Sequence, residues 1–135
     1  MLFALGLPRK IAKMRGKKMN EKFIEKLYKA IIKDGIDEYK DLLGNTNLED
    51  ATDKYWEKSL DLYKSLTADN REKMLKFAEL VMIDTISNIF GVLDGSTSLP
   101  EESFECKVSI NGNSTENELQ DTFLAYVEDI AESQQ

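Results

Sequence analysis

Asp84, Ser87, Asn88 and Gly91 recur at spacings of three and four inside VMIDTISNIFGVLDG, Val81 to Gly95, the most apolar stretch of the chain. On an α-helix these spacings gather the four residues within about 100° of one another. An acid, a hydroxyl and an amide on one strip suit two kinds of chemistry. One is a pocket where Asp84 works as an acid or base; the other is a hydrogen-bonded seam that fixes helix register. A carboxylate buried there without a donor is costly or stays protonated, so burial requires a partner. Tyr28, Tyr39, Tyr55, Tyr63, Trp56, Arg71 and the lysines are the candidate donors, and Gly91 would let another backbone approach closely. The seam is the preferred reading.

The other reactive types give less. Asp50, Asp53 and Glu57 share one helical side, where a divalent cation is conceivable, but a solvated face fits better. Asp94-Gly95-Ser96-Thr97-Ser98 lacks the Asp/Asn ladder and the terminal Glu of a calcium loop, and reads as a helix stop. Cys106 alternates with Phe104 and Val108, so it reads as a small buried hydrophobe. As the only cysteine it forms no intramolecular disulfide, and a reducing, cytoplasmic setting follows. The Asn113-Ser114-Thr115 sequon is then a chance match. The chain has no histidine, no phosphate-binding glycine loop and no paired-cysteine metal site. No catalytic, cofactor-binding or metal-binding residue is assigned, and the chain is read as a protein other than an enzyme. A small enzyme using Asp84 stands as a third reading.

Charge points to a partner. The 135 residues carry a net charge of −7, but residues 1–18 hold six basic side chains and no acid. The remaining 117 residues combine 12 basic with 25 acidic side chains, for −13. Such a body repels nucleic-acid phosphates and suits a basic protein. No apolar run approaches the roughly 20 residues that cross a bilayer.

These residues need elements to position them. MLFALGLPRKIAKMRGKK has its charges on the wrong side of a short apolar piece for a signal peptide. Gly6, Pro8 and Gly16 interrupt it as a membrane anchor, so residues 1–18 read as an upstream start or a loosely held extension. A domain at 19–135 follows. Asn20 is expected to cap a helix carrying Phe23, Ile24, Leu27 and Ile31, stopped by Asp34-Gly35; Ile36, Tyr39, Leu42 and Leu43 make a short second helix. Leu48, Thr52, Tyr55, Ser59, Leu62 and Leu66 form the stripe of a third, with Trp56, Leu60 and Tyr63 beside it, and this wide aromatic face is expected to be buried. Thr67 caps a fourth helix running to about Leu93, apolar nearly all round and therefore central. SFECKVSING alternates as a strand ending in an Asn-Gly turn signal. Its partner is residues 92–99, the N-terminal extension or another copy of the chain. Leu119, Phe123, Tyr126, Val127 and Ile130 define a last helix from near Thr115. The fold is thus mainly α, with four to five helices around a central apolar helix and a small β element near the C-terminal third.

The run VMIDTISNIFGVLDG, with YWEKSLDLYKSLTADNREKMLKF before it and ELQDTFLAYVEDI after it, resembles small acidic bacterial proteins of immunity type. The resemblance covers about residues 19–132 and carries no catalytic residue. It implies a cytoplasmic inhibitor of immunity or antitoxin type that covers a basic toxin site. Glu49, Asp50 and Asp53 in one loop, and Glu101 and Glu102 in another, are the expected partner-binding residues. The alternative is a regulatory or structural homo-oligomer, a homodimer in its simplest form, pairing through strand 104–110.

Overall fold

The computed structural model describes residues 9–134, with side chains from Gly16 onward. The chain is mainly α with one small antiparallel sheet, as the sequence implies. Its elements are α1 (Arg9–Leu27), a π-helical turn (Tyr28–Lys33), α2 (Asp34–Asn45), a 3-10 turn (Leu48–Asp50), α3 (Lys54–Ser65), α4 (Ala68–Asp94), β1 (Ser109–Ile110), β2 (Asn113–Ser114) and α5 (Leu119–Ser133). They fall into two compact units. One combines the described residues up to Leu27 with those from Asp84 onward; the other is Tyr28–Ile83.

In the first unit α1 packs on α5 and on the β-hairpin. The hairpin closes through Asn111-Gly112, both at positive φ (51° and 79°), which a two-residue type I′ loop requires. Its register pairs Ser109 with Ser114 and Ile110 with Asn113. The expected strand 104–110 is therefore corrected. Residues 104–108 carry no strand, and β1 pairs with the segment immediately after its turn. Alternation of side chains marks half-burial, but a ladder needs a backbone partner at each residue.

The helix expected to start at Asn20 starts by Arg9, so residues 9–18 of the expected extension are helical; residues 1–8 lie outside the described set. Asn20 is not a cap. It lies in the interior of α1, 2% exposed, and its Nδ2 donates to the Thr115 carbonyl over 3.0 Å. Thr115 in turn donates from its amide (3.0 Å) and hydroxyl (3.2 Å) to the Val108 carbonyl. Gly16 is buried against β2, where a Cβ would stand 3.0 Å from the Ser114 carbonyl oxygen. Leu119 and Phe123 of α5 are fully buried, and Phe123 meets Phe90 edge-on at 5.7 Å between ring centres.

In the second unit Leu43, Leu60, Tyr63 and Leu75 form a core, with Ala51, Trp56 and Met74 packed on it. Asp34-Gly35 does not stop the helix: the chain passes from the π turn directly into α2. Tyr28 and Ile32, four apart on that turn, are buried, continuing the spacing of Asn20 and Ile24, while Ile31 is exposed. α3 begins after Asp53, whose carboxylate accepts from the Trp56 amide (2.9 Å). Arg71 closes its other end. The guanidinium donates to the carbonyls of Tyr63 (2.8 Å) and Lys64 (3.5 Å) and lies 4.5 Å from the Tyr63 ring centre. Burial falls on Leu60 and Tyr63, not on the expected stripe, and Tyr55 is 87% exposed. Thr67 caps α4 as expected, accepting from the Asn70 amide (3.2 Å), and Gly95 ends it at φ 84°.

Candidate functional site

The polar strip on α4 divides in two. Ser87 and Gly91 are buried, whereas Asp84 and Asn88 are exposed. The buried pair has a hydrogen-bonding partner within its own unit. It is Gln120 on α5, whose Nε2 donates to the Ser87 carbonyl (3.0 Å) and lies 3.4 Å from its hydroxyl. Ser96 donates from its hydroxyl to Gln120 Oε1 (2.8 Å). Asp94 Oδ2 accepts from the Gln120 amide (2.7 Å), so the acid that ends α4 also caps the first turn of α5. A Cβ on Gly91 would collide with the Thr97 hydroxyl and the Gln120 amide, so glycine is what lets this network close. The seam is real, but Asp84 is not part of it.

The expected partner-binding acids stand as follows. Glu49 and Asp50 occupy the 3-10 turn and are exposed; Asp50 accepts from Asn47 Nδ2 over 3.4 Å. Asp53 is exposed and committed to capping α3. Glu101, at φ 69°, and Glu102 line a cleft of about 360 Å³ with Val92, Leu99 and Phe104. These two groups of acids belong to different units.

A larger acidic concavity lies in the first unit, in the surface shared by α1 and α5. It encloses about 600 Å³ and is lined by Glu21 and Glu25 from α1 and by Glu118, Asp121 and Asp129 from the α5 side. Ile24 and Tyr126 give it an apolar surface, and Lys17 stands at the same groove. Burial, aided by the Glu25 charge, raises the Tyr126 hydroxyl above its ordinary pKa. Five carboxylates around an aromatic ring can receive ammonium or guanidinium groups and the methylene stems that carry them.

The sequence reading did not single out these five acids. A signal existed: 21 and 25 are four apart, and 118, 121, 125 and 129 share one helical face. It acquires meaning only once α1 and α5 are known to be neighbours.

The second unit has an apolar groove of about 640 Å³, lined by Tyr39, Leu43, Trp56, Leu75 and Val81 among others. Tyr39 and Trp56 stand 6.3 Å apart between ring centres. Elsewhere on this unit Lys40 bonds Glu72 (2.9 Å), which raises its ammonium pKa. Among the described residues no group of three or more His, Cys, Asp or Glu is placed to hold a metal ion. No described helix is long and apolar enough to cross a membrane.

Comparison of the chain with protein-family models, with curated proteins and with solved structures returns no match.

Proposed function

We propose that this chain is a cytoplasmic acidic binding protein that covers a basic site on a protein partner, as an immunity or antitoxin-type inhibitor does. The observation that carries the reading is the groove formed by Glu21, Glu25, Glu118, Asp121 and Asp129 around Tyr126. Its carboxylates support attraction of a cationic segment. Residues 84–135 hold eleven acids and a single base, Lys107, so the negative charge of the groove comes chiefly from the α5 side, α1 being rich in lysine and arginine. Inhibition by covering needs complementarity alone. Glu101 and Glu102 extend the same acidic unit; Glu49, Asp50 and Asp53 would form a separate contact.

The test uses a fluorescein-labelled peptide containing four arginines, with binding read by anisotropy at 20 mM and 200 mM salt. Binding should weaken steeply with salt. It should be lost in a Glu25→Gln, Asp121→Asn, Asp129→Asn variant and kept in a Glu49→Gln, Asp50→Asn variant. No binding at low salt, or equal loss in both variants, would remove the groove from the proposal.

A further inference from the structure

Glu102 to Val108 run without helix, turn or bend. Exposure alternates from Glu105 into β1: Cys106, Val108 and Ile110 are half-buried, while Glu105, Lys107 and Ser109 face water. A period of two is the mark of extended backbone. Yet among the described residues Ser103 to Lys107 take part in no backbone hydrogen bond. Backbone groups left free along an extended segment are a template for another strand. Phe104 is 58% exposed, more than any other large apolar side chain described in its unit. All of these residues belong to the first unit.

The hairpin decides which edge is available. The Val108 carbonyl accepts from the Thr115 amide (3.0 Å), so the backbone groups of Val108 point toward β2. Direction alternates along a strand, so those of Ser103, Glu105 and Lys107 point the other way, to the outer edge. The far edge of β2 is closed by α1, where Gly16 lies against the Ser114 carbonyl. A further strand is therefore added on the outer edge of β1 and of the residues before it.

Charge then decides the register. A two-fold axis at Cys106 sets Glu105 opposite Lys107 of a second copy, Phe104 opposite Val108 and Cys106 opposite Cys106. The first two pairings occur twice, as an isologous contact requires. Acid–base pairs fall on the water-facing side and aromatic–β-branched pairs on the other, and both kinds are favourable across strands. Moving the axis to Glu105 or to Lys107 opposes that residue to itself, and parallel pairing in register opposes both to themselves. Like charges directly opposite are destabilising. Lys107 is the single base of residues 84–135, and neither it nor Glu105 joins an ion pair among the described residues.

We infer that residues 103–109 form a homodimer strand: a second copy of this chain adds antiparallel along the outer edge about Cys106, joining two hairpins into one four-stranded sheet. In the single chain residues 104–108 are not a strand because no backbone lies beside them, and the second copy supplies it. The proposed basic partner uses the carboxylates of α1 and α5, so the two proposals stand or fall separately.

The experiment is sedimentation equilibrium of the full chain in reducing buffer from about 1 µM to about 1 mM, because so short a strand pair is a weak contact. The mass should rise toward twice 15.4 kDa with concentration. Glu105→Lys and Lys107→Glu should each weaken the dimer about tenfold or more, since each sets two like pairs across the axis. An equimolar mixture of the two variants should dimerise like the parent, one being positive at both positions and the other negative. A folding defect gives no such rescue. Circular dichroism of both variants should match the parent, because these residues are exposed. In a separate sample diamide, which takes up the two thiol hydrogens as the disulfide forms, should link the parent through Cys106. That residue faces itself in a non-bonded pair, where side chains come closest. Cys106→Ser should dimerise reversibly and not link. A chain monomeric at about 1 mM overturns the inference. So does a dimer unaffected by either charge reversal, a mixture as weak as its components, or a dimer that diamide leaves unlinked.

Discussion

The two units assemble from the same material, amphipathic helices, yet use polar side chains in opposite ways. In the unit of α1, α5 and the hairpin, polar groups are drawn inside: Asn20 joins Thr115, and Gln120 joins Ser87. Small residues at Gly16 and Gly91 bring elements close enough for those bonds. In the unit of α2, α3 and the first part of α4, the interior is apolar and small, and large side chains such as Tyr55 and Phe77 remain outside. A buried hydrogen bond fixes orientation because only one geometry satisfies it. An apolar cluster of four main residues specifies less and leaves surface for other contacts. The first unit is thereby tied by directional bonds and the second by its apolar cluster, and each leaves large apolar side chains outside, Phe104 and Ile89 in the first, Tyr55 and Phe77 in the second.

The comparison can be broken in the first instance by truncating one phenylalanine from each unit. Phe123→Ala, at a fully buried site, should cost about 3 to 5 kcal/mol in urea-denaturation free energy. Phe77→Ala, at an exposed site, should stay within about 0.5 kcal/mol when measured on monomer at low concentration. Similar losses for the two would mean that Phe77 is covered in solution.

Asn20→Ala tests the directional seal with a smaller effect. It should cost about 1 to 3 kcal/mol, because the Thr115 carbonyl loses its side-chain donor in a buried place. Hydrogen exchange should show faster opening of the hairpin than of α3; uniform acceleration would contradict a role confined to one unit.

Asp84→Ala should alter monomer stability by no more than about 0.5 kcal/mol. A larger loss by thermal melting would show that its carboxylate has a buried partner after all.

The smallest effect is a pH dependence. Tyr126 is held neutral in the folded chain, so its folded pKa is raised above the unfolded value near 10. Stability from this group is complete below pH 10 and is lost as pH rises through the folded pKa, where the unfolded chain releases its proton more readily. Tyr126→Phe should flatten that alkaline decline in denaturation curves recorded between pH 8 and 11; an unchanged slope would rule the hydroxyl out as its source.

Much of the element order was legible from local chemistry. The Thr67 cap, the Gly95 stop and the Asn111-Gly112 turn are decided by groups within a few residues of one another, and the structure has each of them. Asn20 shows where that legibility ends. An amide before an apolar run is a reasonable cap, but the same amide serves equally well as a buried donor once a strand end lies beside it. The Asp84 strip fails in the same way: periodicity groups Asp84 with Ser87, but only the position of α5 covers one and leaves the other in water. The five acids of the groove were each visible, yet their convergence required α1 and α5 to meet.

What the sequence by itself determined is the helical class, both ends of α4, the hairpin turn and the acidity of the C-terminal half, because each depends on backbone preference or summed charge over short range. Tertiary structure alone decided which helical face is inside. That includes the exposure of Ile31 beside buried Ile32, the 2% exposure of Asn20 and the 87% exposure of Tyr55. Burial is a property of two surfaces in contact, and a periodic pattern on one helix cannot specify where the second will lie.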